Sequence, residues 1–344
     1  MSAKKGFVVG NKDTVGGAKV NALNSKWYYT WGAKPINPPP TGDIPFIPMI
    51  WNINKTPSVD SVIESFDTLN IKDEENTLLS YNEPDGINQQ AQGDMTVGQA
   101  IQYWPKIVAN GRRIGSPVMY GSLVNVPSDA PGSGKNINNM PQPTNISLLA
   151  DGTVIINISN TDTPNEVTLN PAIWLDNFLI QVSQINPKSK FPDFITIHWY
   201  GPPNSKSFLN YLQNVYNKYN LPIWVTEYSV ADWNATFDTT TNKTVHSGSI
   251  DWSYPTDENI ATNTTAEFMR ETVSGMNAMP FVERYSWKER FLLSPPGTES
   301  TSNNSVEGST NPDVMGQSAL FESYEHFPTT LPALTPLGKL YASL

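Results

Sequence analysis

The sequence predicts an α/β fold, a single closed (β/α)8 (TIM) barrel with long loops, on three observations. Eight short apolar runs, rich in β-branched and aromatic residues, recur between residues 6 and 287. Amphipathic segments with helical spacing lie between several of them, as parallel βαβ units require. No G-x-G-x-x-G follows the first run, so an open nucleotide-binding sheet is the poorer fit.

The runs, in order, are GFVV (6–9), WYYTW (27–31), FIPMIW (46–51), TLLSYNE (77–83), RIGSPV (113–118), FITIHWY (194–200), PIWVTEYS (222–229) and FVERYSW (281–287). Each is bounded by turn formers, as buried strands are. Pro48 weakens the third, because proline lacks the ladder donor. Helices are predicted over 58–69, with Val59, Val62, Ile63, Phe66 and Leu69 on one face, and over 96–110, with Thr96 as N-cap. Further amphipathic segments run over 172–185 and 207–219. Another over 266–279 is interrupted by Gly275, and PLGKLYASL closes the chain as a short helix.

Three stretches break the rhythm: 122–171, 231–262 and 288–335. The first contains TNISLLADGTVIINIS, in which Asp151-Gly152 separates two β-type runs, a predicted hairpin. All three follow a strand, so on a barrel they decorate the carboxyl-end rim, where binding sites are built. The reading is one domain, 1–344, with these loop insertions.

Composition narrows the function. The net charge is −10, and basic residues cluster no further than Lys4-Lys5 and Arg112-Arg113, which excludes a phosphate-tracking surface and hence nucleic acid. No apolar run is long enough to span a bilayer. Cysteine is absent, which removes disulfides, thiol nucleophiles and Cys-ligated zinc. The three histidines, His198, His246 and His326, show no ligand spacing, so neither a metal nor another cofactor is expected. The apolar part of MSAKKGFVVGN is too short for a signal peptide, which leaves the compartment open; extracellular action would need trimming or another export route. The load of 10 Trp and 14 Tyr is high; a well-filled core accounts for many of these rings, and a polar ligand with flat apolar faces would account for an exposed remainder.

The chemistry lies at the strand ends. The fourth run delivers Asn82 and Glu83, the sixth His198 and Tyr200, the seventh Glu227 and the eighth Trp287. On a barrel, Glu83 and Glu227 face the same mouth. Paired carboxylates on one cavity suit glycosidic-bond hydrolysis, in which one protonates the leaving oxygen and the other acts on the anomeric carbon. Two such groups also drive their pKa values apart. His198 either lines this cavity or is a core histidine bonded to a neighbouring strand. Tyr200 is placed to orient Glu227. Among the tryptophans, Trp51, Trp199 and Trp233 lie nearest strand ends and are the sugar-stacking candidates. For Trp31 and Trp252 packing is the default, and for Asp85 and Glu283 a structural ion pair.

YNEPD, GDMTVGQAIQYWP, DFITIHWYG, PIWVTEYS and VERYSW, in that order, resemble glycoside hydrolase family 128, a group of β-1,3-glucanases. The likeness runs from about residue 5 to 290, interrupted mainly by the 122–171 insertion, and Tyr228 stands where Phe is common. The resemblance implies a retaining hydrolase of β-1,3-glucan, such as laminarin, working by double displacement. It implies Glu83 as general acid/base, Glu227 as nucleophile, Asn82 as ligand of the sugar 2-hydroxyl and Trp287 as the apolar platform beneath that sugar. A monomer acting on a polysaccharide or oligosaccharide, without nucleic acid or membrane, is expected. Two alternatives stand beside it: a β-1,4-mannan or β-1,4-glucan hydrolase with the same carboxylates, and a non-catalytic glycan-binding barrel.

Overall fold

The computed structural model describes residues 2–53, 59–66, 76–85, 95–109, 111–124, 145–148, 154–157, 171–185, 191–238, 240, 243–289, 315–323 and 328–344. In chain order the elements begin with β1 (Lys5–Val8), α1 (Gly16–Ala22), β2 (Tyr28–Tyr29), α2 (Val59–Phe66), β3 (Thr77–Leu78), α3 (Val97–Ala109) and β4 (Arg113–Ile114). There follow β5 (Asn145–Leu148), β6 (Val154–Asn157), α4 (Pro171–Ile185), β7 (Ile195–Gly201), α5 (Ser205–Tyr219) and β8 (Ile223–Val230). The chain continues through β9 (Thr236–Asp238), β10 (Lys243–Val245), α6 (Thr264–Ala278) and β11 (Val282–Trp287) to α7 (Pro336–Ser343).

The architecture is α/β around a parallel central sheet of order β2-β1-β11-β8-β7. Every residue of β7 and β8 is buried, as expected for strands covered on both faces. β3 pairs in parallel with β4 through Thr77–Arg113 and Leu78–Ile114. Isolated parallel bridges join Tyr28 to Phe46, Met49 to Leu79, Asn82 to Val118 and Gly115 to Phe194. The third predicted strand, 46–51, is therefore reduced to bridging contacts at Phe46 and Met49. Pro45 and Pro48 still accept from Tyr28 N and Leu79 N, but neither can donate, so a continuous ladder does not form.

The sheet separates two apolar clusters. The larger one packs Trp199, Phe208, Tyr228, Phe268 and Trp287 between the sheet and its helices. The smaller holds Trp27, Tyr29, Met49, Leu79, Phe194 and Trp224 on the opposite side, below the site described next. Gly6 makes room for this inner cluster, since a Cβ there would stand 2.2 Å from the Trp27 ring.

The helices start where their caps allow. Thr96 and Gln99 form a reciprocal capping box: Thr96 Oγ1 accepts from Gln99 N at 3.2 Å and Gln99 Oε1 accepts from Thr96 N at 2.8 Å. Asn204 and Asn263 cap α5 and α6, accepting from Ser207 N and Ala266 N. Gly275, expected to interrupt its helix, lies inside an unbroken α6. A Cβ there would stand 2.5 Å from Leu209, so glycine lets α6 approach α5. α1 was not legible, because its first turn is Gly16-Gly17. The 145–157 hairpin pairs antiparallel from Asn145–Asn157 to Leu148–Val154, while Asp151-Gly152 falls outside the described residues, as do Ser58 and 67–69 of the second predicted helix. A second antiparallel pair, β9–β10, was not foreseen in the 231–262 stretch. Among the described residues, no helix is long and apolar enough to cross a membrane.

Candidate functional site

A cavity of about 490 Å³ opens at the carboxyl ends of the parallel strands. Asn82, Glu83, Tyr200 and Glu227 line it, together with the rings of Trp31, Trp51, Tyr120 and Trp233. Each strand reaches it differently.

Along β7 the alternation is regular. Ile195, Ile197 and Trp199 face the helices, so His198 and Tyr200 face inward. Along β8 it is not. Ile223 and Val225 face the helices, and strict alternation would send Glu227 after them. The register with β7 slips by one residue here, from Ile197–Val225 to His198–Glu227, and Thr226 is the extra residue. This bulge reverses the phase, turning Glu227 into the cavity and Tyr228 into the outer core. Glu83 is placed by a different device. Its φ is +46°, a left-handed conformation that costs a non-glycine residue about 1 kcal/mol. Its N–H, donating to Val118 O at 2.7 Å, helps to hold that geometry. Residues with strained backbone of this kind cluster at functional positions.

The two glutamates are buried, 4% and 5% exposed, and one imidazole lies between them. His198 Nδ1 is 2.7 Å from Glu83 Oε1 and its Nε2 is 3.5 Å from Glu227 Oε1. The second contact is an electrostatic approach without hydrogen-bond geometry. His198 is thus neither a cavity wall nor a plain core histidine, but a bridge between carboxylates. Burial opposes its protonation most strongly, yet the charges of Glu227, Glu83 and Asp85, with the Glu83 hydrogen bond, raise its pKa above the ordinary imidazole value.

Glu227 is held on both oxygens. Oε1 accepts from Trp31 Nε1 at 2.7 Å and from Tyr29 Oη at 3.0 Å, and Oε2 accepts from Tyr200 Oη. Burial again works against the charge. It is outweighed by His198 and Lys288 and by the Tyr200 and Trp31 hydrogen bonds, which leave the carboxyl below its ordinary pKa. Burial drives the phenols of Tyr29 and Tyr200 the other way, and neighbouring Glu227 adds to it, so both remain donors. Asn82 contributes a different feature: among the described residues its buried Oδ1 has no hydrogen-bond partner. The residue lines the cavity, and an orphan acceptor there is suited to a hydroxyl that reaches it.

Several expected roles move. Trp287 is 0% exposed, donates its indole N–H to Ser318 O at 3.0 Å and packs edge-on against Tyr228. A sugar platform needs an open ring face, and Trp287 has none because it lies on the helix side of β11. Trp199 is buried beside Phe208 and Tyr211 for the same reason and offers no stacking surface. Trp51 and Trp233 do line the cavity. Trp233 is 38% exposed and is anchored by its indole N–H to Tyr200 O. Among the described residues, Asp85 has no ion-pair partner within salt-bridge distance. It accepts from Tyr120 N at 2.7 Å and Gly121 N at 3.3 Å, which seats Tyr120 at the cavity. Burial pushes its pKa up to about 7, with Glu83 adding and the two backbone donors opposing. Glu283 pairs with Arg113 at 2.5 Å. Tyr29, Trp31 and Lys288 were missed. The spacing Trp27, Tyr29, Trp31 was the available signal, since these alternate residues share the inward face of one run. Among the described residues, no group of three or more His, Asp or Glu is arranged to hold a metal ion.

The fold has known relatives. An endo-β-1,3-glucanase of glycoside hydrolase family 128, subgroup I, from Amycolatopsis mediterranei, solved with laminaritriose and laminaribiose, superposes with a TM-score of 0.57 at 23% identity, covering 99% of each chain. A subgroup II endo-β-1,3-glucanase from Pseudomonas viridiflava gives 0.52 at 19% identity, over 100% of this chain and 98% of that one. A subgroup VII oligosaccharide-binding protein from Cryptococcus neoformans gives 0.53 at 17%, over 99% and 92%. No curated protein matches the sequence significantly. The family model described as the glycosyl hydrolase catalytic core matches residues 6–129 and 142–317. With the motif resemblance to glycoside hydrolase family 128 thereby supported, the chain belongs to the glycosyl hydrolase catalytic core family.

Proposed function

We propose that the protein is a retaining glycoside hydrolase of β-1,3-glucan, with one catalytic domain built as a closed (β/α)8 barrel. The parallel bridges Tyr28–Phe46, Met49–Leu79 and Gly115–Phe194 support closure, because they lead from β2 through the third, fourth and fifth runs back to the strand at β7. The observation that carries the function is the pair of buried glutamates joined through His198 on one cavity.

Glu227, ionised and oriented by three donors, attacks the anomeric carbon. The glycosidic C–O bond breaks as Glu83 gives its proton to the leaving oxygen. Glu83, now a carboxylate, takes a proton from water, whose oxygen displaces Glu227 from the glycosyl ester and restores both groups. Asn82 Oδ1 accepts from the sugar 2-hydroxyl, while Trp51 and Trp233 supply apolar faces to the chain. Trp31 and Tyr29 hold Oε1 throughout, since the ester carbonyl accepts from the same donors. The β-1,3 linkage is taken from the glucanases that share the fold; β-1,4-mannan and β-1,4-glucan hydrolysis would use the same carboxylates.

Reducing-end release from laminarin, curdlan, mixed-linkage glucan and mannan tests the assignment. Laminarin and curdlan should be cut, with the first-formed anomer retained by NMR, and Glu227→Gln should lose several orders of magnitude in rate. Near wild-type turnover in Glu227→Gln would remove Glu227 from the nucleophile's role. The likeness to the Cryptococcus oligosaccharide-binding protein favours one second reading, a glycan binder. Glucan binding by calorimetry without product over long incubation would establish it.

A further inference from the structure

The end of β11 sends three successive side chains in three directions. Trp287 enters the outer core, Lys288 lines the cavity, and Glu289 turns to an ion cluster with Lys19 and Asp13. Lys19 Nζ lies 3.2 Å from Glu289 Oε1 and 2.9 Å from Asp13 Oδ2, with the lysine and Asp13 both buried. The backbone between is tied to the neighbouring strand, since Lys288 N donates to Tyr228 O at 3.0 Å. Lys288 is thus fixed on both sides, and its ammonium stands 4.4 Å from the Trp31 ring centroid. A cation at that distance over an indole is attracted by the ring's negative face.

The orientation of that indole matters. Trp31 has φ +53°, and its Nε1–H is the donor to Glu227 Oε1 at 2.7 Å. The mouth of the cavity thus contains a chain of contacts from ammonium to indole to carboxylate. We propose that Lys288 is a positioning residue for the nucleophile: its ammonium packs on Trp31 and fixes the indole N–H that Glu227 accepts. The positive charge also works directly on Glu227, whose carboxyl it helps to keep ionised. Among the described residues, the titratable groups facing Glu227 are Tyr29, Glu83, His198, Tyr200 and Lys288, and of these only His198 and Lys288 are cationic when protonated. Lys288 itself also faces Glu289.

This inference rests on the role given above to Glu227, and its test needs no substrate. The Trp31 indole 15N–1H resonance, assigned by its absence from Trp31→Phe, reports the ionisation of the carboxylate it touches. In wild type it should titrate with pH, and in Glu227→Gln that titration should vanish. In Lys288→Met the midpoint should rise by about one pH unit or more, and Lys288→Arg should restore it. On laminarin, the acidic limb of kcat/KM should move by the same amount. An unchanged midpoint in Lys288→Met, or a Lys288→Met effect confined to KM, would overturn the proposal. A wild-type protein that cuts no glucan would instead overturn the proposed function, while the indole midpoint still decides the role of Lys288.

Discussion

Asn82→Ala should move stability and activity in opposite senses. Asn82 lines the cavity, its Oδ1 is buried and has no partner among the described residues, and an unsatisfied buried acceptor costs about 1–3 kcal/mol. Alanine removes that acceptor and keeps the backbone bond from residue 82 N–H to Trp51 O, at 2.9 Å in the native chain. The substrate-free protein should therefore melt at the same temperature or higher. A gain of about 1 kcal/mol corresponds to roughly 1–4 °C in a domain of this size. The side chain is read as the acceptor of the sugar 2-hydroxyl, a hydrogen bond that strengthens in the transition state, and losing it should cost about tenfold or more in kcat. Calorimetric melting and initial rates on laminarin, run on one preparation, check both. A Tm several degrees lower with activity retained would refute the reasoning, because it would make Asn82 a structural residue at the end of the fourth run.

Three further outcomes follow from the geometry. Gly275→Leu should lower the urea midpoint, at a cost of about 1–3 kcal/mol in unfolding free energy from overpacking, because even a Cβ there meets Leu209 at 2.5 Å. Trp287→Ala should cost about 3–5 kcal/mol in chemical denaturation as a core deletion, whereas Trp51→Ala, on the cavity wall, should raise KM and leave the midpoint nearly unchanged. The pH dependence of stability should carry two signs. Glu227 titrates below its reference value of 4.5 in the fold, so its contribution is full above pH 4.5 and drains away as pH falls through the folded value. His198 titrates above its reference of 6.5, so its contribution is full below pH 6.5 and is lost as pH rises through the folded value. The wild-type advantage over Glu227→Gln in urea should shrink on acidification below pH 4.5. An advantage that grew instead would reverse the sign assigned to that carboxyl.

Much of this site is local and therefore readable from sequence. Apolar runs ending in polar residues located Asn82, Glu83, His198, Tyr200 and Glu227, because strand ends deliver side chains to a rim wherever the sheet is parallel. Period-2 alternation, applied strictly, would also have separated His198 and Tyr200 from Trp199, and Trp27, Tyr29 and Trp31 from Tyr28. The partners of Glu227 were hidden because Trp31 and Tyr29 are 196 and 198 residues away in sequence, and only the pairing of strands brings them together.

By itself, then, the sequence determined the alternating α/β order, the cap at Thr96, the presence of the last helix, and the two glutamates as a candidate pair. Tertiary structure decided which way they point. On β8 the alternation that began with Ile223 and Val225 would have buried Glu227 among the helices. One extra residue, Thr226, against its neighbouring strand turned it into the cavity. A bulge belongs to a pair of strands, since it is a mismatch in count between them, and no single run of residues carries its signature. The same holds for His198: its two ring nitrogens reach two carboxylates that meet only when strands distant in sequence share one rim.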